Sequence, residues 1–269
     1  MRILVSIIFI FIFIGCTNTI NKNRVALVIG NQNYPSKSTL TNPIHDSKAM
    51  KKRLENLGFD VIYGKDISYQ EFDRLLKEFQ FKINQDSTTF FYFAGHGNTL
   101  QANSNETFLA MVDKKESVVV SIFKLYSLLR EANPKNSIVA IDSCRDYSGT
   151  NGGSSVYRGQ LVRDEKIPSR VVRGYSPKKP NSIIISYATE PNEKASDKGV
   201  HNKNMSPYAY YLDRHLDDEE IPIQEVFRRV RNGMSRDFNG TQRSSAVDLL
   251  KNNIWLQPKR KVTAKANPF

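Results

Sequence analysis

Cysteine is scarce in this chain: there are two, Cys16 and Cys144, in 269 residues. Histidine numbers only four, and His45, His201 and His215 have no metal-ligand spacing with a thiol, so no metal site is assigned. No apolar run reaches the roughly 20 residues that a membrane-spanning helix needs. Acidic residues are outnumbered, 27 against 39 Lys and Arg, for a net charge of +12. Such an excess favours anionic surfaces such as lipid head groups. No helix-turn-helix, zinc-finger or RNP-type motif accompanies it, so nucleic acid is not expected as a partner. No internal repeat is present.

The N-terminus must be set aside before the fold is considered. Arg2 is followed by an almost wholly apolar stretch, Ile3 to Ile14, and then Gly15-Cys16. A charged start, a short apolar core and a small residue before a cut site read as a secretory signal. Phe13-Ile-Gly-Cys16 resembles a bacterial lipoprotein signal, with Phe13 where Leu is usual. That resemblance implies lipidation of Cys16, export, and anchoring to a bacterial membrane at the periplasmic face or cell surface. An ordinary signal cut nearby is the alternative. Residues 1–15 are thus expected as signal and 16–23 as a polar tether. Once Arg2 is removed, 38 basic and 27 acidic residues leave +11.

The rest is long enough for one α/β domain with a substantial core, expected over 24–257. Short apolar runs alternate with helical patterns. Strands are expected at 25–30, 59–63, 88–93, 107–112, 137–142 and 182–187. Helices are expected at 43–57, around Phe72 to Ile83, around Ile122 to Leu129, and near 206–216 and 222–236. This alternation predicts a mainly parallel sheet of about six strands, covered on both faces. Residues 145–180 break the rhythm, with seven Lys or Arg between 158 and 179. Loops of that length are usually functional or disordered. The basic stretch 258–269 reads as a flexible tail.

Two strands end at chemically capable residues. Thr88–Phe93 runs into Ala94-Gly-His96-Gly97, and Ser137–Asp142 runs into Ser143-Cys144. In open parallel sheets, ligands bind outside the carboxyl ends of the strands. If the two strands are neighbours, His96 and Cys144 meet there. A thiol at its free pKa is barely ionised at neutral pH, and a nearby imidazole activates it. The same ring can then protonate a leaving amine. The backbone N–H groups of Gly97 and Cys144 are candidate oxyanion donors. A lone cysteine is more often a small buried hydrophobe than a nucleophile. Here glycines flank the histidine and polar residues flank the cysteine, which argues against burial of either.

These blocks, Phe91-Tyr-Phe-Ala-Gly-His-Gly97 and Ala140-Ile-Asp-Ser-Cys-Arg145, resemble the two signatures of the caspase-like superfamily (peptidase C14), most closely its bacterial metacaspase-like, or orthocaspase, branch. The 48-residue separation of His96 and Cys144 matches the spacing of about 50 in caspases. Arg24–Tyr34, Leu40–Asp46, Ser186–Asn192, Ala195–Asp197 and Ser206–Tyr208 resemble further family segments. The resemblance implies a three-layer α/β/α sandwich and a cysteine endopeptidase with a His96–Cys144 dyad. An Asp two before the nucleophile, Asp142, resembles metacaspases, whose S1 pocket is acidic and takes Arg or Lys. Asp46 falls where that family places a second acidic pocket residue, although a solvated acid in the first turn of a helix would look the same. Ala94 replaces a serine that is common in the family. The expected partners are protein or peptide substrates with basic P1 residues.

In this superfamily the segment after the cysteine is often cut during activation, which would suit self-cleavage within 158–179. Metacaspases often depend on calcium, but no full set of acidic ligands can be mapped here, so no cofactor is assigned. Two other functions share the same residues: a silent caspase-like scaffold that binds peptides, and a cysteine hydrolase acting on a non-peptide acyl bond.

Overall fold

A computed structural model describes residues 21, 23–35, 39–100, 106–113, 118–145, 170–172, 178–191 and 193–257. The expected signal, Cys16, most of the basic loop and the 258–269 tail lie outside these residues.

Six strands form the main sheet: β1 (Arg24–Gly30), β2 (Asp60–Lys65), β3 (Thr88–Ala94), β7 (Asn136–Asp142), β9 (Ile183–Tyr187) and β10 (Ser245–Asp248). Their order is β10-β9-β7-β3-β1-β2. All neighbours are parallel except β10, which pairs antiparallel with β9 at the edge. The expected parallel sheet is therefore present. The edge strand was not anticipated, because Val247 and Leu249 are exposed and the segment lacks an apolar run.

Strand geometry explains the layers. Successive side chains point to opposite faces. Val25, Leu27 and Ile29 of β1, with Phe91 and Phe93 of β3, pack under α2 (Tyr69–Lys82) and α3 (Phe123–Ala132). Ala26, Val28, Phe90 and Tyr92 face α1 (Pro43–Asn56), α4 (Pro207–His215) and α5 (Ile223–Asp237). Both faces are buried, so the strands read as continuous apolar runs rather than alternating ones. Each fully buried Leu, Ile or Phe contributes about 1.5–3 kcal/mol relative to exposure. The helices were legible because their apolar residues recur on one face, as with Phe72, Leu75, Leu76 and Phe79 of α2.

A second, four-stranded sheet was not expected. It comprises β4 (Gly97–Leu100), β5 (Glu106–Met111), β6 (Val118–Ser121) and β8 (Arg170–Val172), in the order β4-β5-β6-β8. Only β5 was foreseen among these. The 145–180 stretch is thus not loop throughout: Arg170–Val172 pairs parallel with Val118–Val120. A three-residue strand held by a distant partner carries no periodicity of its own.

Candidate active site

The parallel register of β3 and β7 pairs Ala94 with Asp142. His96 and Cys144 each lie two residues beyond that pair, so they leave adjacent strands at the same level. Gly95 N–H donates to Asp142 O at 3.2 Å, extending the pairing by one residue. Gly97 then packs directly on Ser143. A Cβ at residue 97 would lie 2.5 Å from Ser143 Oγ and 3.0 Å from Phe108 O, so only glycine fits. Ala110 N–H donates to His96 O at 3.0 Å, and Gly97 is the next residue of the antiparallel ladder, opposite Leu109. Hydrogen-bonded and non-bonded pairs alternate along such a ladder, which turns the Gly97 N–H away from β5.

Tyr34 holds the histidine. Its hydroxyl accepts the His96 backbone N–H at 3.0 Å and donates to Ala110 O at 3.2 Å. Its ring lies against the imidazole, with centroids 4.5 Å apart. Asn31 supports the same turn, donating to Ala110 O and accepting Ile67 N–H.

Both chemical residues are buried: His96 is 1% exposed and Cys144 0%. The expectation from their glycine and polar neighbours is overturned. For His96 the Tyr34 ring lies against the imidazole, and for Cys144 the physical reason is a distant segment folded across the end of β7. Ala195 N–H donates to Cys144 Sγ at 3.3 Å, and the thiol faces Ala195 O at 3.8 Å. Arg145 N–H donates to Glu193 O at 3.0 Å. The cover is anchored further along, where Ser196 N–H donates to Gln242 Oε1 and the Asn42 amide donates to Asp197 O and Lys203 O. Asn42 occupies the N-cap position of α1 without capping it, because its side chain holds this segment.

Asp46 and Asp142 are both fully buried, which excludes a solvated Asp46. They converge on Ser206, which begins α4. Its N–H donates to Asp46 Oδ1 at 3.0 Å, and its hydroxyl donates to Asp142 Oδ2 at 2.5 Å. The same hydroxyl accepts Ala209 N–H, capping the helix, with Pro207 at the first helical position. Tyr92 OH donates to Asp142 at 3.4 Å. Burial pushes the Tyr208 phenol above its ordinary value; the nearby Ser186 hydroxyl opposes this and the Asp142 charge adds to it.

Arg145 is also buried, with its guanidinium 3.9 Å from the Tyr187 ring centroid and hydrogen-bonded to Ser245 Oγ. It ties the residue after the cysteine to β9 and β10. Tyr187 in turn contacts Tyr126, whose phenol is raised well above its ordinary value, chiefly by burial.

The sequence singled out His96, Gly97, Asp142, Cys144 and Asp46, and the fold gathers them at one end of the sheet. It gave no role to Tyr34, Asn42, Ser206 or Arg145. For Ser206 a signal existed, since Ser followed by Pro is a helix start. Tyr34, Asn42 and Arg145 lie in segments that resemble the family, but no local pattern marks their individual roles, because their contacts lie far away in sequence.

Comparison with known proteins agrees with this architecture. A family profile described as the caspase domain (peptidase C14) matches residues 23–253. The human mucosa-associated lymphoid tissue lymphoma translocation protein 1 is 27% identical over 209 residues, covering 75% of this chain and 23% of that protein. Its mouse homologue is 26% identical over the same length, covering 75% and 22%. The chain thus spans less than a quarter of these curated relatives. The crystal structure of caspase-1 from Spodoptera frugiperda superposes with a TM-score of 0.60 at 16% identity, covering 91% of this chain and 94% of that one. The chain belongs to the caspase domain family of cysteine peptidases, C14.

Proposed function

We propose that the protein is a cysteine endopeptidase in which Cys144 is the nucleophile and His96 its base. The carrying observation is the β3–β7 register, with Gly97 packed on Ser143, which brings both residues off neighbouring strands side by side. His96 takes the Cys144 thiol proton, and the thiolate attacks the scissile carbonyl. The oxyanion that forms is held by the N–H groups of Gly97 and Cys144. The imidazolium protonates the departing amine, leaving a thioester, and water then hydrolyses it with His96 again as base.

The same reading assigns Asp46 and Asp142 to the S1 pocket. Two carboxylates within reach of one serine form a negative site suited to a basic side chain, and charge-assisted bonds to a guanidinium are among the strongest available. Cleavage is therefore after Arg or Lys. The test is the full chain assayed on fluorogenic peptides ending in Arg, Lys or Asp, with and without calcium, beside Cys144→Ala. Cleavage after Arg or Lys that vanishes in the variant supports both assignments. Cleavage after Asp removes the pocket assignment and keeps the nucleophile.

One observation favours a second reading, a peptide-binding scaffold: the segment around Ala195 closes over the thiol. Under the first reading the same contact describes a resting enzyme whose cover must move. A folded chain that never cleaves yet binds basic peptides would favour the scaffold. Reaction at a non-peptide acyl bond uses the same chemistry and would show as turnover of ester substrates alone.

We further propose self-cleavage within 158–179 and export with lipidation at Cys16. Arg170 lies in β8, which leaves the flanking basic residues as the sites. A full-length band that persists through long incubation of active enzyme would count against processing. Release from the membrane fraction by Cys16→Ser tests the anchor.

A further inference from the structure

The pole of the sheet opposite the candidate active site carries a cavity of about 740 Å³. It is rimmed by the first residues of the parallel strands, Arg24, Thr88 and Asn136, with Ser182 just before β9. Strand β7 runs from this rim to the active site, which separates the two by roughly 20 Å at about 3.3 Å per residue. The volume lies within the range of about 300–1,000 Å³ typical of small-ligand sites.

Its lining is unusual in composition. Seven asparagines contribute, and Asn181, Asn252 and Asn253 among them are exposed. Each amide offers both donors and an acceptor, which matches ligands whose groups also do both. At the edge stands Trp255, the single tryptophan of the chain. It belongs to an extended segment in which Ile254 is 7% and Leu256 3% exposed, while Trp255 is 45% exposed. Its backbone is fixed by a bridge to Pro222, and Ile223 N–H donates to Ile254 O at 2.8 Å. A large ring held outward on a fixed backbone offers a flat apolar face beside a polar crevice.

The charges narrow the ligand class. Phosphate sites use helix N-termini and arginine forks. Here helix α3 ends at Asn133 on the cavity wall, presenting the negative end of its dipole. Among the described residues of the wall the one arginine, Arg24, donates to Leu57 O and lies over Phe59. Lys135 and Lys251 are balanced in part by Asp86. An apolar ligand fits this polar wall poorly, whereas a polyhydroxyl one finds both donors and acceptors on it.

We propose that this cavity binds a short carbohydrate chain, with one pyranose face on Trp255 and its hydroxyl or acetamido groups on the asparagine amides. The site is independent of peptide cleavage. The lone tryptophan makes the test direct. The full chain, in a detergent without sugar groups, is titrated with N-acetylchitotetraose and with maltotetraose while tryptophan emission is followed. The expected result is a saturable change with at least one of them. It should weaken about ten-fold or more in Asn252→Ala/Asn253→Ala, which keeps the fluorophore, and stay unchanged in Cys144→Ala. Asn181→Ala, from a separate segment of the wall, serves the same purpose if the double variant does not fold. No saturable change with either sugar would overturn the proposal, as would binding that ignores the asparagine substitutions.

Discussion

Gly97 lies against Ser143 so closely that any side chain at residue 97 would meet the serine hydroxyl and the Phe108 carbonyl. This contact sets the spacing between the turn after β3 and the turn after β7. Gly97→Ala must push the two apart, at a cost of about 1–3 kcal/mol for overpacking. Urea unfolding should show that loss, and kcat/KM should fall with it. Combining it with Ser143→Gly should recover part of the stability, because the two residues share one space. Full additivity of the two substitutions would refute the account.

Tyr34→Phe keeps the ring on the imidazole and deletes the hydroxyl between His96 N–H and Ala110 O. It leaves buried polar groups short of a partner, worth about 1–3 kcal/mol. Activity should drop mainly in kcat, since the hydroxyl positions the base and touches no substrate. A change confined to KM would contradict this role.

Ser206→Ala removes both a helix cap and the link between Asp46 and Asp142. The cap alone accounts for about 1 kcal/mol. Peptidase assays should show KM for Arg and Lys substrates rising more than kcat falls. Ser206→Thr retains the hydroxyl and should restore part of the loss.

The cover over Cys144 predicts slow thiol chemistry. In a Cys16→Ser background, iodoacetamide should modify Cys144 far more slowly than a free thiol, because reaction waits on local opening. Gln242→Ala or Asn42→Ala loosens the anchors of the cover and should speed labelling about ten-fold or more, which corresponds to about 1.4 kcal/mol of opening free energy. Labelling at the free-thiol rate in the unaltered chain would mean that the cover is open in solution.

Acid should weaken the contact between α2 and α3. Asp73 pairs with Lys124 at 2.7 Å and Lys77 at 2.8 Å, and hydrogen bonds from Lys124 and then Lys77 hold its carboxyl below the ordinary carboxylate value. A depressed carboxyl contributes stability above its unfolded pKa and loses it as pH falls through the folded one. The pair is partly exposed, so the contribution is at most about 1 kcal/mol. Asp73→Asn should lower the urea midpoint at pH 7 and have little effect at pH 2–3. An equal effect at both pH values would point to packing instead of charge.

Local pattern along the chain was enough to specify five of the six strands of the main sheet, all but the edge strand β10, together with the five helices and the two strand ends that carry His96 and Cys144. Each of these is written in local pattern: buried parallel strands are continuous apolar runs, and surface helices repeat every three to four residues. Tertiary structure alone decided the burial of the thiol, the convergence of Asp46 and Asp142 on Ser206, the second sheet and the seat of Tyr34 on His96. The reason is distance along the chain. Ser206 lies 160 residues from Asp46, and Ala195 lies 51 from Cys144. Neither partner leaves a mark near the other, and only the packing of α4 and the 193–197 segment over the strand ends brings them together.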